Sequence, residues 1–148
     1  MTDDAELLAN ASCVSMRGRG VLITGAPGSG KSSLALALLD RGGELVGDDG
    51  VALSLRDGEV FAGPPPNTAG LIEIRNVGLL EVPVTSAPIA MVIHLTPDAE
   101  RLPLGPREVL LLDRPLPQVD LYPDTPTLAL RAEAALEIHG IPEPDAVT

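Results

Sequence analysis

Tryptophan is missing from this chain of 148 residues, and Phe61 and Tyr122 supply all of its Phe and Tyr. Without a row of stacking rings the chain lacks the platform on which single-stranded nucleic acid is held. It also offers little surface for stacking a purine, which predicts weak selectivity for adenine. Hydrophobic residues still make up 45%, so the core has to be built from Leu, Val, Ile and Ala. One cysteine, Cys13, excludes an internal disulfide and a cysteine-based metal cluster, and is expected to be a small buried apolar residue. The apolar run from Ile89 to Ile93 is far too short to span a bilayer. No basic-then-apolar leader opens the chain, whose first residues, Met1 to Glu6, are acidic in character. A cytoplasmic protein is the expectation, by elimination. Positive charge is scarce as well: 10 Lys and Arg stand against 21 Asp and Glu, for a net charge of −11. That balance argues against a nucleic-acid binder, which needs a basic stripe to neutralise phosphates. It suits solubility and weakly favours a basic partner protein.

Lysine is the scarcest charge of all. Lys31 is the single lysine, and every other cationic side chain is Arg. It lies in Gly25-Ala26-Pro27-Gly28-Ser29-Gly30-Lys31-Ser32, which fits the phosphate-binding loop pattern G-x-x-x-x-G-K-[ST]. A compact ammonium on a flexible stem reaches between β- and γ-phosphates where a planar guanidinium fits poorly. The surroundings fit too. Val21 to Thr24 reads as a strand leading into the loop, and Lys31 to Arg41 is a run of good helix formers stopped by Gly42-Gly43. Strand, Gly-rich loop and helix together aim backbone N–H groups and a helix N-terminus at the phosphates. Ser32 would offer a hydroxyl to Mg²⁺, and Lys31 would neutralise the γ-phosphate.

Around this motif the remaining chain reads as short strands within one domain of 148 residues. Val14 to Met16 precedes a Gly-containing hairpin loop, and Glu44 to Gly47 ends at Asp48-Asp49. Val51 to Leu55 and Glu59 to Ala62 flank Asp57-Gly58, a hairpin turn signal. Gly63 to Thr68 is an irregular loop. Leu71 to Arg75, Val77 to Val82, Ala90 to Leu95 and Val109 to Leu112 are further strands, and Thr96 to Pro106 is a Pro-rich loop. Thr125-Pro126 offers a cap and a helix-starting proline for a helix to His139, with Gly140 and Pro142 as its stop. Residues 1–142 are expected to form the domain and 143–148 a disordered tail.

Two further groups are candidates for chemistry. Asp48 and Asp49 end a strand beside the phosphate loop, where doubly wound sheets place ligands. Neighbouring side chains diverge, so one carboxylate would take a proton or position a nucleophile and the other would make structural hydrogen bonds. Asp-Asp-Gly is also an ordinary turn sequence. In Leu71-Ile72-Glu73-Ile74-Arg75 the charged residues alternate with aliphatics, so Glu73 and Arg75 share a face. That face is either a metal-holding one or a solvated, salt-bridged one. His94 in an apolar strand reads as a satisfied core histidine, and His139 as a helix C-terminal residue that favours the dipole.

With these segments in order, the chain resembles the catalytic domain of HPr kinase/phosphorylase. The match runs from Gly20 to Gly25 into the loop, through Arg41-Gly42 and Leu45 to Asp49, and on to Leu71 to Val82. It continues with Val92 to Leu95 and Arg101-Leu102. It is similar above all to a short proteobacterial form that lacks the N-terminal domain. The resemblance implies an α/β fold of the HPr kinase/PEP carboxykinase-like type, a single P-loop domain whose mixed β-sheet carries a P-loop helix and a C-terminal helix. It implies ATP and Mg²⁺ as cofactors, the phosphocarrier protein HPr as partner, and a homo-oligomer such as a hexamer. Carried onto this chain, Gly25, Ala26, Pro27, Gly28, Ser29, Gly30, Lys31 and Ser32 hold the nucleotide, and Ser32 and Glu73 bind Mg²⁺. Asp49 is the general base toward the substrate serine, and Arg101 assists at the phosphoryl group.

Three positions depart from the family. Asn10 stands where the family has a His; Asn cannot shuttle a proton near neutral pH, though it can hydrogen-bond a phosphate. Asn76 replaces a usual Gly, which either alters the turn after Arg75 or leaves Asn to tolerate a left-handed backbone there. Leu116 to Leu121 stand in place of the basic C-terminal loop linked to dephosphorylation. Kinase activity is therefore the expectation, and phosphorylase activity is left open. Two competing readings are an ATP-binding regulator without catalysis, and a small-molecule P-loop kinase. The latter fits poorly, because Met91 to Leu95 runs into Thr96-Pro97-Asp98 instead of ending in Asp.

Overall fold

The computed structural model describes residues 6–67, 70–123 and 125–142. The expected disordered tail at 143–148, the acidic residues 1–5 and the end of the loop at Thr68 lie outside the described residues. Eleven strands and two helices follow in order. They are β1 (Glu6–Ala9), β2 (Ser12–Met16), β3 (Arg19–Gly25), α1 (Lys31–Asp40), β4 (Glu44–Gly47), β5 (Gly50–Arg56) and β6 (Glu59–Gly63). After them come β7 (Leu71–Ile74), β8 (Gly78–Glu81), β9 (Ala87–Leu95), β10 (Arg107–Leu111), β11 (Arg114–Leu121) and α2 (Leu128–His139).

Nine strands make one mixed sheet in the order β1-β5-β6-β9-β3-β2-β4, with β11 also on β9 and β10 on β11. The strands β3, β9 and β11 are mutually parallel, so their C-terminal ends share the edge from which the phosphate loop departs. Side chains alternate across this sheet with period two. On one face Val14, Met16, Val21, Ile23, Met91 and Ile93 meet Leu34 and Leu38 of α1 and Ala132 and Leu136 of α2. On the other, Cys13, Leu22 and Val92 are covered by Val51, Leu53, Val60 and Ala62, because the β1-β5-β6 limb curls over them. This is the expected α/β mixed sheet. Among the described residues no helix is long and apolar enough to cross a membrane.

Most expected elements form within one or two residues of their predicted ends. The hairpins at Arg17-Gly18 and Asp57-Gly58 close on two consecutive residues of positive φ, the geometry whose twist matches the flanking strands. Three differences have physical reasons. The first strand, β1, is made of Glu, Leu and Ala, which prefer helices; its pairing with β5 overrides that preference. The last strand, β11, begins eight residues after the end of the expected Pro-rich loop at Pro106 and carries Pro115 and Pro117. Those prolines pair only with β10, and contact with β9 begins at Gln118, so the proline half is an edge and loses no second ladder. Helix α2 starts at Leu128, with Thr127 as its cap residue, because Thr125 to Thr127 form a separate turn closed by Leu128 N–H onto the Thr125 carbonyl.

Cys13 sits fully buried between the two layers, as a small apolar residue. Desolvation pushes its thiol up to about 12. A raised folded-state value means that the contribution is complete below the thiol's ordinary value near 9 and is lost as pH climbs toward 12. Thiol reagents at pH 8 are therefore expected to leave native Cys13 unmodified for hours and to label it within minutes in denaturant. In alkaline melts from pH 9 to 11, the wild type should lose stability faster than Cys13→Ala.

Candidate active site

The loop that leaves β3 is shaped by glycine where nothing else fits. A Cβ on Gly25 would stand 2.5 Å from the Ser29 Oγ and 3.1 Å from the Leu95 carbonyl oxygen. Gly30, at φ 101°, is the left-handed residue that starts α1. No side chain caps that helix, so its first-turn N–H groups are donors suited to a phosphate. Lys31 is buried at the helix start and folds back over the loop. Its Nζ donates to the carbonyls of Gly25 and Ala26, each at 3.0 Å.

Facing the loop is the turn between β4 and β5, where the two aspartates divide. Asp48 is buried and acts as a hub. Its Oδ1 accepts from Ser32 Oγ at 2.7 Å and from Ser12 Oγ at 2.8 Å, and its Oδ2 accepts from the Glu73 N–H at 3.2 Å. It thereby ties α1, β2 and β7 together. Asp49 is exposed and left-handed at φ 60°. Its N–H donates to Ser12 Oγ at 3.3 Å, and its carbonyl accepts from Asn10 N–H at 3.2 Å.

The third wall is the β7–β8 hairpin, a sheet of its own. Every residue of β8 is exposed. Ile72 on β7 is fully buried against the α1 core and contributes roughly 1.5–3 kcal/mol. That anchor, with the hydrogen bond from Glu73 to Asp48, holds Glu73 and Arg75 at the cleft. Asn76 turns the hairpin at φ 69°, in the left-handed region that Asn enters more readily than most residues.

These walls enclose a cleft of about 330 Å³. Pro27, Gly28, Gly30, Lys31, Ser32, Asp49 and Glu73 of the expected site line it, and so do Asn10, Ser12, Ser33 and Arg75. Gly25 and Ala26 take part through the carbonyls that receive Lys31, and Ser29 through its N–H on the Ala26 carbonyl. Arg101 is not brought there. It is exposed in the loop after β9 and lines a separate hollow with Tyr122 and Arg131. Ser12 escaped the sequence reading because its partners are more than thirty-five residues away. Its one signal was a polar residue opening a buried strand. A more apolar cavity of about 180 Å³, lined by Val60, Pro88, Ile89 and Leu116, lies at the opposite end of β3 and β9. It holds neither the phosphate loop nor the paired carboxylates. His94 is satisfied by Thr24, with Nδ1 2.9 Å from Oγ1.

The donor set suits a magnesium nucleotide. Among the described residues no three His, Cys, Asp or Glu groups form a metal cluster. Mg²⁺ does not need one: it keeps waters and takes one or two carboxylates together with phosphates. The Ser32 hydroxyl and the Glu73 carboxylate are oxygen donors on two residues that line this cleft.

Comparison with known proteins identifies relatives of the chain as a whole. Residues 5–105 match the family model described as the HPr Serine kinase C-terminal domain. The HPr kinase/phosphorylase of Lacticaseibacillus casei (strain BL23) is 37% identical over 120 residues, covering 72% of this chain and 38% of the relative. That of Stenotrophomonas maltophilia (strain K279a) is 38% identical over 139 residues, covering 81% of this chain and 44% of the relative. The chain thus spans less than half the length of these curated relatives. The solved structure of the Hpr(Ser) kinase/phosphatase from Coxiella burnetii superposes with a TM-score of 0.77 at 30% identity, covering 89% of this chain and 88% of that one.

Proposed function

The chain belongs to the HPr serine kinase C-terminal domain family, and from that premise we propose that it is a Mg²⁺- and ATP-dependent protein kinase acting on a serine of HPr. One observation carries the reading: the phosphate loop with Lys31 and Ser32 shares a single cleft with Asp49 and Glu73. Phosphoryl transfer needs little covalent help from protein and much positioning and charge neutralisation. The Gly25–Gly30 loop and the α1 N-terminus bind the phosphates, and Lys31 exchanges its loop carbonyls for phosphate oxygens. Ser32 and Glu73 hold Mg²⁺, which when bound offsets the negative charge of the transferring group. Asp49 orients the acceptor serine and takes its hydroxyl proton as the Oγ–phosphorus bond forms and the bond to the leaving diphosphate breaks. Asp48 stays outside the reaction and holds the walls together.

Intact-mass spectrometry of HPr after incubation with the protein, Mg²⁺ and ATP tests this directly. A gain of one phosphoryl group, mapped to serine, is expected. Unmodified HPr across a range of Mg²⁺ and nucleotide concentrations rejects the kinase. Asn10 in the cleft, where the family carries His, favours the second reading of an ATP-binding regulator. Retained ATP binding without transfer is the outcome that selects it.

A further inference from the structure

Ser12 lines the cleft and has no part in that scheme. Ser12 opens β2, and its side chain is fully buried. Its hydroxyl is nonetheless used twice: Oγ donates to Asp48 Oδ1 at 2.8 Å and accepts the Asp49 N–H at 3.3 Å. The hydroxyl therefore bridges the side chain of one aspartate and the backbone of the next. Asp49 occupies a left-handed conformation, φ 60°, which Asp enters more readily than most residues but at a cost relative to ordinary backbone regions. Its peptide is held on two sides, by Ser12 at the N–H and by Asn10 at the carbonyl. Asn10 and Ser12 flank Ala11, itself fully buried, so one short rigid segment makes both contacts.

We propose that Ser12 is a positioning residue that fixes the Asp48–Asp49 turn, so that the Asp49 carboxylate stands in the cleft with Lys31 and Ser32. The proposal rests on the kinase reading of that cleft. The role of Ser12 in this proposal runs through Asp49, whose N–H it accepts, and not through contact with the reacting atoms. Alanine at this position removes the acceptor of the Asp49 N–H and one of the hydroxyl donors to Asp48. Ser32 and Glu73 still hold Asp48, so the turn survives but its second residue loses one of its two holds. The phosphate loop is untouched. The deficit therefore falls on the chemical step and leaves nucleotide binding alone.

For Ser12→Ala the kcat for serine phosphorylation of HPr is expected to fall about 10–100-fold, the scale of a displacement near 1 Å in a positioned group. The KM for ATP should stay within about twofold. Ser12→Thr keeps the hydroxyl and should recover most of the rate. If threonine does not fold at this buried site, Ser12→Cys, with a weaker donor of similar size, should fall between Ser and Ala. A purely packing role would lower the melting temperature while leaving kcat unchanged well below it. Wild-type kcat in Ser12→Ala overturns the proposal, and so does a folded Ser12→Thr as slow as Ser12→Ala. Should the wild type transfer no phosphoryl group, the kinase reading fails by itself. Amide exchange then judges Ser12: the Asp49 N–H should exchange at least about tenfold faster in Ser12→Ala, with α1 unchanged. Equal exchange at Asp49 would end it.

Discussion

Lys31→Met is expected to weaken ATP binding about 10–100-fold, the scale of a lost charge-assisted hydrogen bond of about 1.5–3 kcal/mol. Phosphoryl transfer should fall by a further factor of about 10²–10³, as when one donor to a charged transition state is removed. Both effects follow from the placement of one group. The ammonium rests on two loop carbonyls, so it is held within reach of the phosphates, and among the described residues no carboxylate pairs with it. Methionine keeps the length and the apolar stem, so the packing at the start of α1 survives and the melting temperature should move little. Isothermal titration with a non-hydrolysable ATP analogue reads the binding loss, and single-turnover transfer to HPr reads the rate. Wild-type affinity in Lys31→Met would exclude Lys31 as a phosphate ligand. Arg is not an equivalent replacement, because the planar fork does not fit over the loop as a point charge does.

Asp49→Asn is expected to reduce transfer to the HPr serine about 10²–10⁴-fold, the range for a lost general base, with ATP affinity close to that of the wild type. Asn is the informative substitution here. Asp49 is left-handed, and Asn accepts that conformation with little strain, whereas alanine adds a backbone cost that blurs the result. The amide retains the shape and can still hydrogen-bond the serine, yet it cannot take its proton. Rapid-quench measurement of the first turnover separates the chemical step from product release. Transfer at the wild-type rate would reassign the base. Asp48→Asn reports something different, since Asp48 receives hydroxyls and a backbone N–H and faces inward; its removal disturbs the architecture first.

Much of this site is legible in the residues themselves, for a local reason. The phosphate loop is a backbone shape, and backbone shapes are recorded as glycines at fixed offsets with a strand before and a helix after. The face shared by Glu73 and Arg75 is also local, following from alternation along a strand, and both line the cleft. The division of labour between Asp48 and Asp49 is legible only in part. Their divergence follows from adjacency, but which one turns inward depends on Ser12 and Ser32, far away in the chain. The place of Arg101 is not legible, because it depends on the course of the loop after β9, which carries it to a different hollow. The two strands that escaped prediction fail for opposite reasons. In β1 the residues favour a helix and are overruled by a neighbour. In β11 prolines that usually end a strand are tolerated because that half has one neighbour.

The β7–β8 hairpin gives the cleft the character of a vice with one fixed and one lighter jaw. The fixed jaw, with Lys31, Ser32 and Asp49, belongs to the nine-stranded sheet and its helix. The lighter jaw, with Glu73 and Arg75, is seated by Ile72, by Val82 just after β8, packed against the same core, and by one hydrogen bond to Asp48. Ile72 and the hydrogen bond contribute on the order of 5 kcal/mol to that seating. Any shift of the hairpin's eight strand residues would carry Glu73 and Arg75 with it, while Lys31, Ser32 and Asp49 keep their places on the sheet and its helix.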